Sequence, residues 1–221
     1  MSATSVAAIP RYSFGDELAS SIVHGLGIVL SIAGLATLVA FAALHGNALT
    51  VVACAVFGTS LVLLYTASTL YHSIPLAAAK PTLRALDHIA IYVLIAGTYT
   101  PFTLVALPGA WGWGLFVAVW ALALAGSALE LGLLGRRRKL AVLLYVGMGW
   151  IGMVAFEPLS EHLQAGGTAL LLAGGLAYTL GVPFYLWRRL PFHHALWHGF
   201  VLAGSVLHFL AVLLYVIPDP A

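Results

Sequence analysis

Residues 188–217 read RRLPFHHALWHGFVLAGSVLHFLAVLLYVI, and this stretch decides the fold. After the Arg188–Arg189 pair, residues 195–217 contain no Asp, Glu, Lys or Arg. A hydrocarbon core about 30 Å thick is crossed by about 20 apolar residues in a helix, so the run is long enough to span a bilayer. It must do so as a helix, because lipid offers no partner to an unpaired backbone N–H or C=O. The same stretch carries His193, His194, His198 and His208. Four imidazoles beside or inside a lipid-crossing segment require an explanation.

Composition extends this reading to the whole chain. Hydrophobic residues make up 62% of it and charged residues 7%, with a mean hydropathy of +1.04, whereas soluble domains carry roughly 25% charged residues. With 221 residues, residues 1–221 are expected to form a single integral membrane domain, with no room for a further soluble domain of ordinary size. A net charge of +2 is too small for a nucleic-acid footprint, and the basic residues lie in short clusters between apolar runs. The single Cys54 sits inside an apolar run, so there is no disulfide framework and no cysteine metal site. Any metal must be held by His and carboxylate.

Seven spans are expected, at residues 18–44, 48–73, 85–107, 111–134, 140–157, 167–187 and 195–217, after a short N-terminal segment 1–17. That segment ends without a cleavage signal, so the first span is expected to be retained. The interruptions are short: HGN from 45, IPLAAAKPTLR from 74, LPGAW from 107, GRRRK from 135, EPLSEHLQAGG from 157 and RRLPFHH from 188. Gly147, Gly149 and Gly152 loosen the fifth span and are read as close helix contacts. Arg11; Lys80 and Arg84; Arg136, Arg137, Arg138 and Lys139; and Arg188 and Arg189 fall in four segments that seven spans place on one side, with no Lys or Arg on the other. By the positive-inside rule, the fold is an all-α membrane protein, a seven-transmembrane helix bundle with its N-terminus cytoplasmic and its C-terminus outside. The expected location is the cell (plasma) membrane.

Ionisable residues inside spans are costly and face a bundle interior or a cavity, so each is a functional candidate. Span two ends in STLYHS, which puts Ser68 and His72 on one face at the cytoplasmic end. Span three starts there with LRALDHIAIY, placing Asp87 and His88 in its first turn. Span seven starts there with His194 and His198, one helical turn apart. In span one, DELASSIVHG puts Glu17 and His24 on nearly one face, where they support the other groups from behind or line an entrance. Three imidazoles suit zinc, whose catalytic sites take three protein ligands and keep a position for water. Asp87 either holds that water or takes the fourth place itself, and Ser68 can orient a ligand or donate to a developing oxyanion. Zinc-bound water has a pKa near 7, and a neighbouring carboxylate can accept its proton.

Other polar residues have plainer readings. His193 and His162 are read as loop or interfacial groups, His45 as part of an outer turn, and His88 as packing or a hydrogen-bond donor. Glu130, next to the Arg cluster, is read as an ion-pair partner rather than a catalyst, and Trp111, Trp113, Trp150, Trp187 and Trp197 as anchors or packing. His208 lies about 15 Å beyond His198 at about 1.5 Å per residue. It either lines a cavity with Ser205 or bonds to a neighbouring carbonyl.

The set SxxxH at 68–72, DHIAIYVLIAGTYTPF at 87–102 and HHALWH at 193–198, on seven spans with the N-terminus inside, resembles the progestin and adipoQ receptor family, most closely its bacterial hemolysin III branch. The resemblance runs from Glu17 to His208. It implies a zinc ion held by His72, His194 and His198, with Asp87 bound to it through a water and Ser68 nearby. It also implies kinship with membrane hydrolases that include the alkaline ceramidases. The expected function is hydrolysis of a lipid amide or ester reaching the site laterally from the inner leaflet. The alternatives are a non-enzymatic sensor or receptor of lipid state with a structural metal, a cytolysin, or an ion carrier using His208 and His24. Short outer loops give a protein hormone little platform, and no feature sets the oligomeric state.

Overall fold

The computed structural model describes residues 12–107, 109–133 and 138–217. Arg11, Arg136 and Arg137, on which part of the charge argument rests, lie outside these residues. Among the described residues the structure is helical, and seven helices are long and apolar enough to cross a membrane. The elements are α1 (Phe14–His45), α2 (Ala48–Ser73), α3 (Lys80–Pro101), α4 (Gly109–Glu130), α5 (Arg138–Trp150), α6 (Phe156–His162), α7 (Ala165–Leu186) and α8 (His193–Tyr215). The fifth span is composite: α5, a 3-10 turn at Ile151–Ala155, and α6 together cover Leu140–His162.

Local chemistry explains the ends. Ser13 caps α1 by accepting from the Asp16 N–H, and Asp16 and Glu17 place negative charge at the positive end of the helix dipole. The two-residue turn after α1, Gly46 and Asn47, is sufficient because Asn47 caps α2 reciprocally with Thr50. The third span starts at Lys80 rather than 85, since Pro81 fits the first helical turn, where no N–H is needed. At its far end Pro101 withholds an N–H, and the chain continues as a π-helical turn, Phe102–Ala106, closed by Leu107 N–H donating to the Phe102 carbonyl at 2.9 Å. The fourth span stops at Glu130 rather than 134, followed by Gly132 at φ 81°, the left-handed geometry that ends helices.

The fifth span changes character where glycines weaken it. Tyr99 of α3 meets the break from across the bundle: its hydroxyl donates to the Gly149 carbonyl at 2.8 Å and accepts from the Gly152 N–H at 3.0 Å. Of the three glycines read as close contacts, only Gly152 is one; a Cβ there would lie 2.8 Å from the Tyr99 ring, while Gly147 and Gly149 face open space. Helical structure then resumes through His162, beyond the expected end at 157, because Pro158 falls in the first turn of α6.

Helices α1 to α5 pack consecutively, α7 packs on α8, and α8 returns against α1. The bundle interior is filled by Phe57, Tyr65, Tyr92, Val119, Met148 and Val212, among others. Large apolar side chains such as Ile22, Val29, Leu124 and Leu180 face outward, as lipid contact requires and water would not favour. The starts of α1, α3 and α8 and the end of α2 converge at one end of the bundle.

Candidate metal centre

That end gathers the polar residues singled out in the sequence. His72 sits in the last turn of α2, His194 and His198 in the first two turns of α8, and all three are buried. One ring nitrogen of each lies within 4.8 Å of the others. The Nε2 atoms of His72 and His198 are 3.1 Å apart. Two nitrogens bound to one tetrahedral zinc at about 2.05 Å are roughly 3.3 Å apart, so this pair already stands near coordinating separation. The His194 Nε2 atom is buried without a hydrogen-bond partner, an arrangement expensive for a polar atom and suited to a ligand. The residues present therefore fit an imidazole-bound metal ion.

Glu17 sets the tautomer of His72. Its Oε2 lies 2.5 Å from His72 Nδ1 and its Oε1 3.0 Å from the Lys80 ammonium. Since a carboxylate can only accept, Nδ1 carries the proton and Nε2 presents its lone pair to the other two histidines. Lys80 is held in turn by the Tyr71 carbonyl at 2.5 Å and lies over the Tyr71 ring. On the opposite side, Tyr12 stacks on His194 with ring centroids 4.6 Å apart and its hydroxyl 3.4 Å from Nδ1. His24 packs against His198 at a centroid distance of 3.7 Å, and neither of its nitrogens has a hydrogen-bond partner.

Asp87 is buried in α3, with Ser68, His72, His88 and Arg84 as its polar neighbours. It does not belong to the 4.8 Å histidine group, so its carboxylate stands back from the three nitrogens. Ser68, fully buried a turn before His72, lies beside it without closing a hydrogen bond of good geometry.

From this cluster a cavity of about 190 Å³ extends between α3, α5, α7 and α8. Asp87, His194 and His198 line one end, Leu107 and Leu115 the other, and its walls are overwhelmingly apolar. It thus runs from the polar end of the bundle toward the π-helical turn.

Several residues sit elsewhere than the sequence suggests. His193 is buried rather than superficial, because the turn between α7 and α8 folds back and sets its Nδ1 3.0 Å from the Phe184 carbonyl. Glu130 is an ion-pair partner, as expected, and meets His88 of α3 at 2.8 Å, a pairing across helices that linear spacing does not display. Tyr12 and Lys80 are contributors the sequence reading missed. Lys80 counted only as a topology charge, and Tyr12 belongs to a segment without periodicity.

Seven membrane-length helices around a buried three-histidine cluster define a multi-pass integral membrane protein with a candidate metal centre. Residues 12–209 match the family model described as Haemolysin-III related. The chain is 48% identical over 203 residues to Hemolysin-3 of Bacillus cereus (92% of this chain, 93% of that protein) and 46% identical over 209 residues to the Hemolysin-3 homolog of Bacillus subtilis strain 168 (95% and 98%). It is also similar, at 28% identity over 174 residues, to the human Monocyte to macrophage differentiation factor, covering 75% of this chain and 71% of that protein. The chain belongs to the haemolysin-III-related family.

Proposed function

We propose that this protein is a zinc-dependent hydrolase of the cell membrane that cleaves an amide or ester bond of a membrane lipid, at a site near the cytoplasmic leaflet. The observation that carries this reading is the junction of three converging imidazoles and a buried Asp87 with the head of a long apolar cavity. Such a cavity accepts a lipid tail and brings the bond next to the head group to the histidines. His72, His194 and His198 would hold the ion, with Glu17 fixing the orientation of His72. A zinc ion there supplies Lewis acidity to an oxygen of the water or of the scissile carbonyl.

The chain's own groups manage the proton. An Asp87 carboxylate oxygen takes a proton from the attacking water and returns it to the departing amine or alcohol, so that OH is added to the acyl carbon and H to the leaving atom. The buried Ser68 hydroxyl beside Asp87 is placed to orient a ligand or to donate to the developing oxyanion. The apolar walls bind the tail and keep bulk water from the reacting bond.

The test is turnover of an N-acyl lipid amide and a matched lipid ester by the purified protein in lipid nanodiscs, with and without chelator. Release of fatty acid that chelator stops is expected. A protein that carries metal yet releases fatty acid from neither substrate is instead a sensor or receptor whose metal ties α2 to α8.

A further inference from the structure

The three histidines are enclosed as well as buried. His194 Nε2 and His198 Nδ1 have no hydrogen-bond partner and almost no exposed surface. A metal ion cannot arrive at or leave such a site unless part of its shell moves, and a metal site needs an entry path. The cavity is a poor path for a hydrated cation, because its walls are overwhelmingly apolar. It meets His194 and His198 from the bundle interior, and among the described residues its wall includes neither His72 nor Tyr12.

Tyr12 covers the other side. Its ring stacks on His194 at a centroid distance of 4.6 Å and lies 5.8 Å from His72 and 6.0 Å from His193. Of the described tyrosines packed on these histidines, it alone lies outside a helix: Tyr71 belongs to α2 and Tyr185 to α7. Moving either of those displaces a span, whereas Tyr12 precedes the Ser13 cap of α1.

The facing turn is strained. Phe192, immediately before His193, holds φ 55° and ψ 20°, the left-handed region that a phenylalanine rarely adopts. Such a residue persists only where its surroundings hold it there. Its ring seats on the first turn of α1, where a Cβ at Gly15 would lie 3.4 Å from Phe192 Cε1. Tyr12 and Gly15 thus grip the start of α8 at two points.

We propose that Tyr12 is a lid over the metal centre, closed by its stack on His194 and by the Phe192–Gly15 contact. A divalent cation enters and leaves at this end of the bundle when both contacts part, and the strain at Phe192 favours opening. This rests on the metal reading above and adds the route to it.

The test is stopped-flow zinc uptake and zinc loss to a chromogenic chelator, with the equilibrium affinity, for the purified full chain in detergent. Tyr12→Ala is expected to load and lose zinc roughly tenfold faster at unchanged affinity, the scale of one lost aromatic stack and its buried area. Tyr12→Phe keeps the ring and is expected to match wild type. Phe192→Gly relieves the turn and removes the ring on Gly15, so faster exchange is expected with no fall in melting temperature. Wild-type rates in Tyr12→Ala overturn the inference and leave the metal reading standing. So does weaker affinity in Tyr12→Phe without faster loading, the signature of a hydroxyl that positions His194. Faster exchange accompanied by a lower melting temperature in both Tyr12→Ala and Phe192→Gly is general loosening and overturns it too. If the wild type takes up no zinc, the metal reading falls and the lid with it. Should Tyr12→Ala fail to fold, the rates of Phe192→Gly decide.

Discussion

Glu17 accepts a hydrogen bond from His72 across the α1–α2 interface at 2.5 Å while its other oxygen binds Lys80 at 3.0 Å. The contact connects the starts of α1 and α3 with the end of α2. It also decides which nitrogen of His72 is available, because the proton on Nδ1 leaves the Nε2 lone pair turned toward His198. A carboxylate behind a histidine is a common device for orienting and strengthening a metal ligand.

Replacing Glu17 therefore weakens metal binding without removing a ligand. Glu17→Gln is expected to lower zinc affinity by roughly 10- to 100-fold, measured by competition with a chromogenic chelator. An affinity equal to wild type would mean that Glu17 serves only the packing of α1.

Asp87→Asn separates proton transfer from metal retention. Because Asp87 stands outside the histidine group, the variant is expected to keep its metal and its melting temperature. Its lipid turnover is expected to fall by roughly 10²- to 10⁴-fold, the usual contribution of a general acid–base group. Loss of metal in parallel with turnover would instead make Asp87 a ligand.

Close packing along α1 gives a stability prediction with an internal control. At Gly27 a Cβ would lie 2.4 Å from the Tyr65 ring, which in turn bonds Ser205 and meets His24 edge-on. Gly27→Ala is expected to cost about 1–3 kcal/mol through overpacking, seen as a lower melting temperature in detergent. Gly25 has nothing within 4 Å, so Gly25→Ala is expected to be neutral or slightly stabilising, since alanine is the better helix former.

The orientation can be read by labelling. A cysteine at Thr82, exposed in the first turn of α3, is expected to react with an impermeant maleimide only after the membrane is opened, whereas one at Ala110, exposed in the first turn of α4, reacts in intact cells. Cys54 is buried and adds no background. The opposite pattern would place the histidine cluster at the outer face.

The fold was largely legible because lipid allows few solutions: an apolar run of span length must be a helix, and short links leave neighbours adjacent. His72, His194 and His198 were legible for a related reason, since a polar group in a span needs an interior purpose and the alternation of spans brings these three to one end. Relationships that depend on how helices are rotated were not legible. Nothing in the spacing of His88 and Glu130 announces their contact, and the burial of His193 depends on a turn that sequence periodicity does not describe. The break after Trp150 was signalled by glycines, but its cause, the hydroxyl of Tyr99, lies on another helix. His208 lines the cavity and also sets its Nε2 3.0 Å from the Leu171 carbonyl, two readings that spacing along α8 leaves as alternatives.

The most direct measurement is the metal content of the purified protein by inductively coupled plasma mass spectrometry, for wild type and for His72→Ala, His194→Ala and His198→Ala. About one zinc per chain in the wild type, and little in each variant that remains folded, is the expected result for a three-imidazole site. A wild-type protein purified without chelator that carries no stoichiometric metal, and takes up none when zinc is supplied, would contradict the account at its centre.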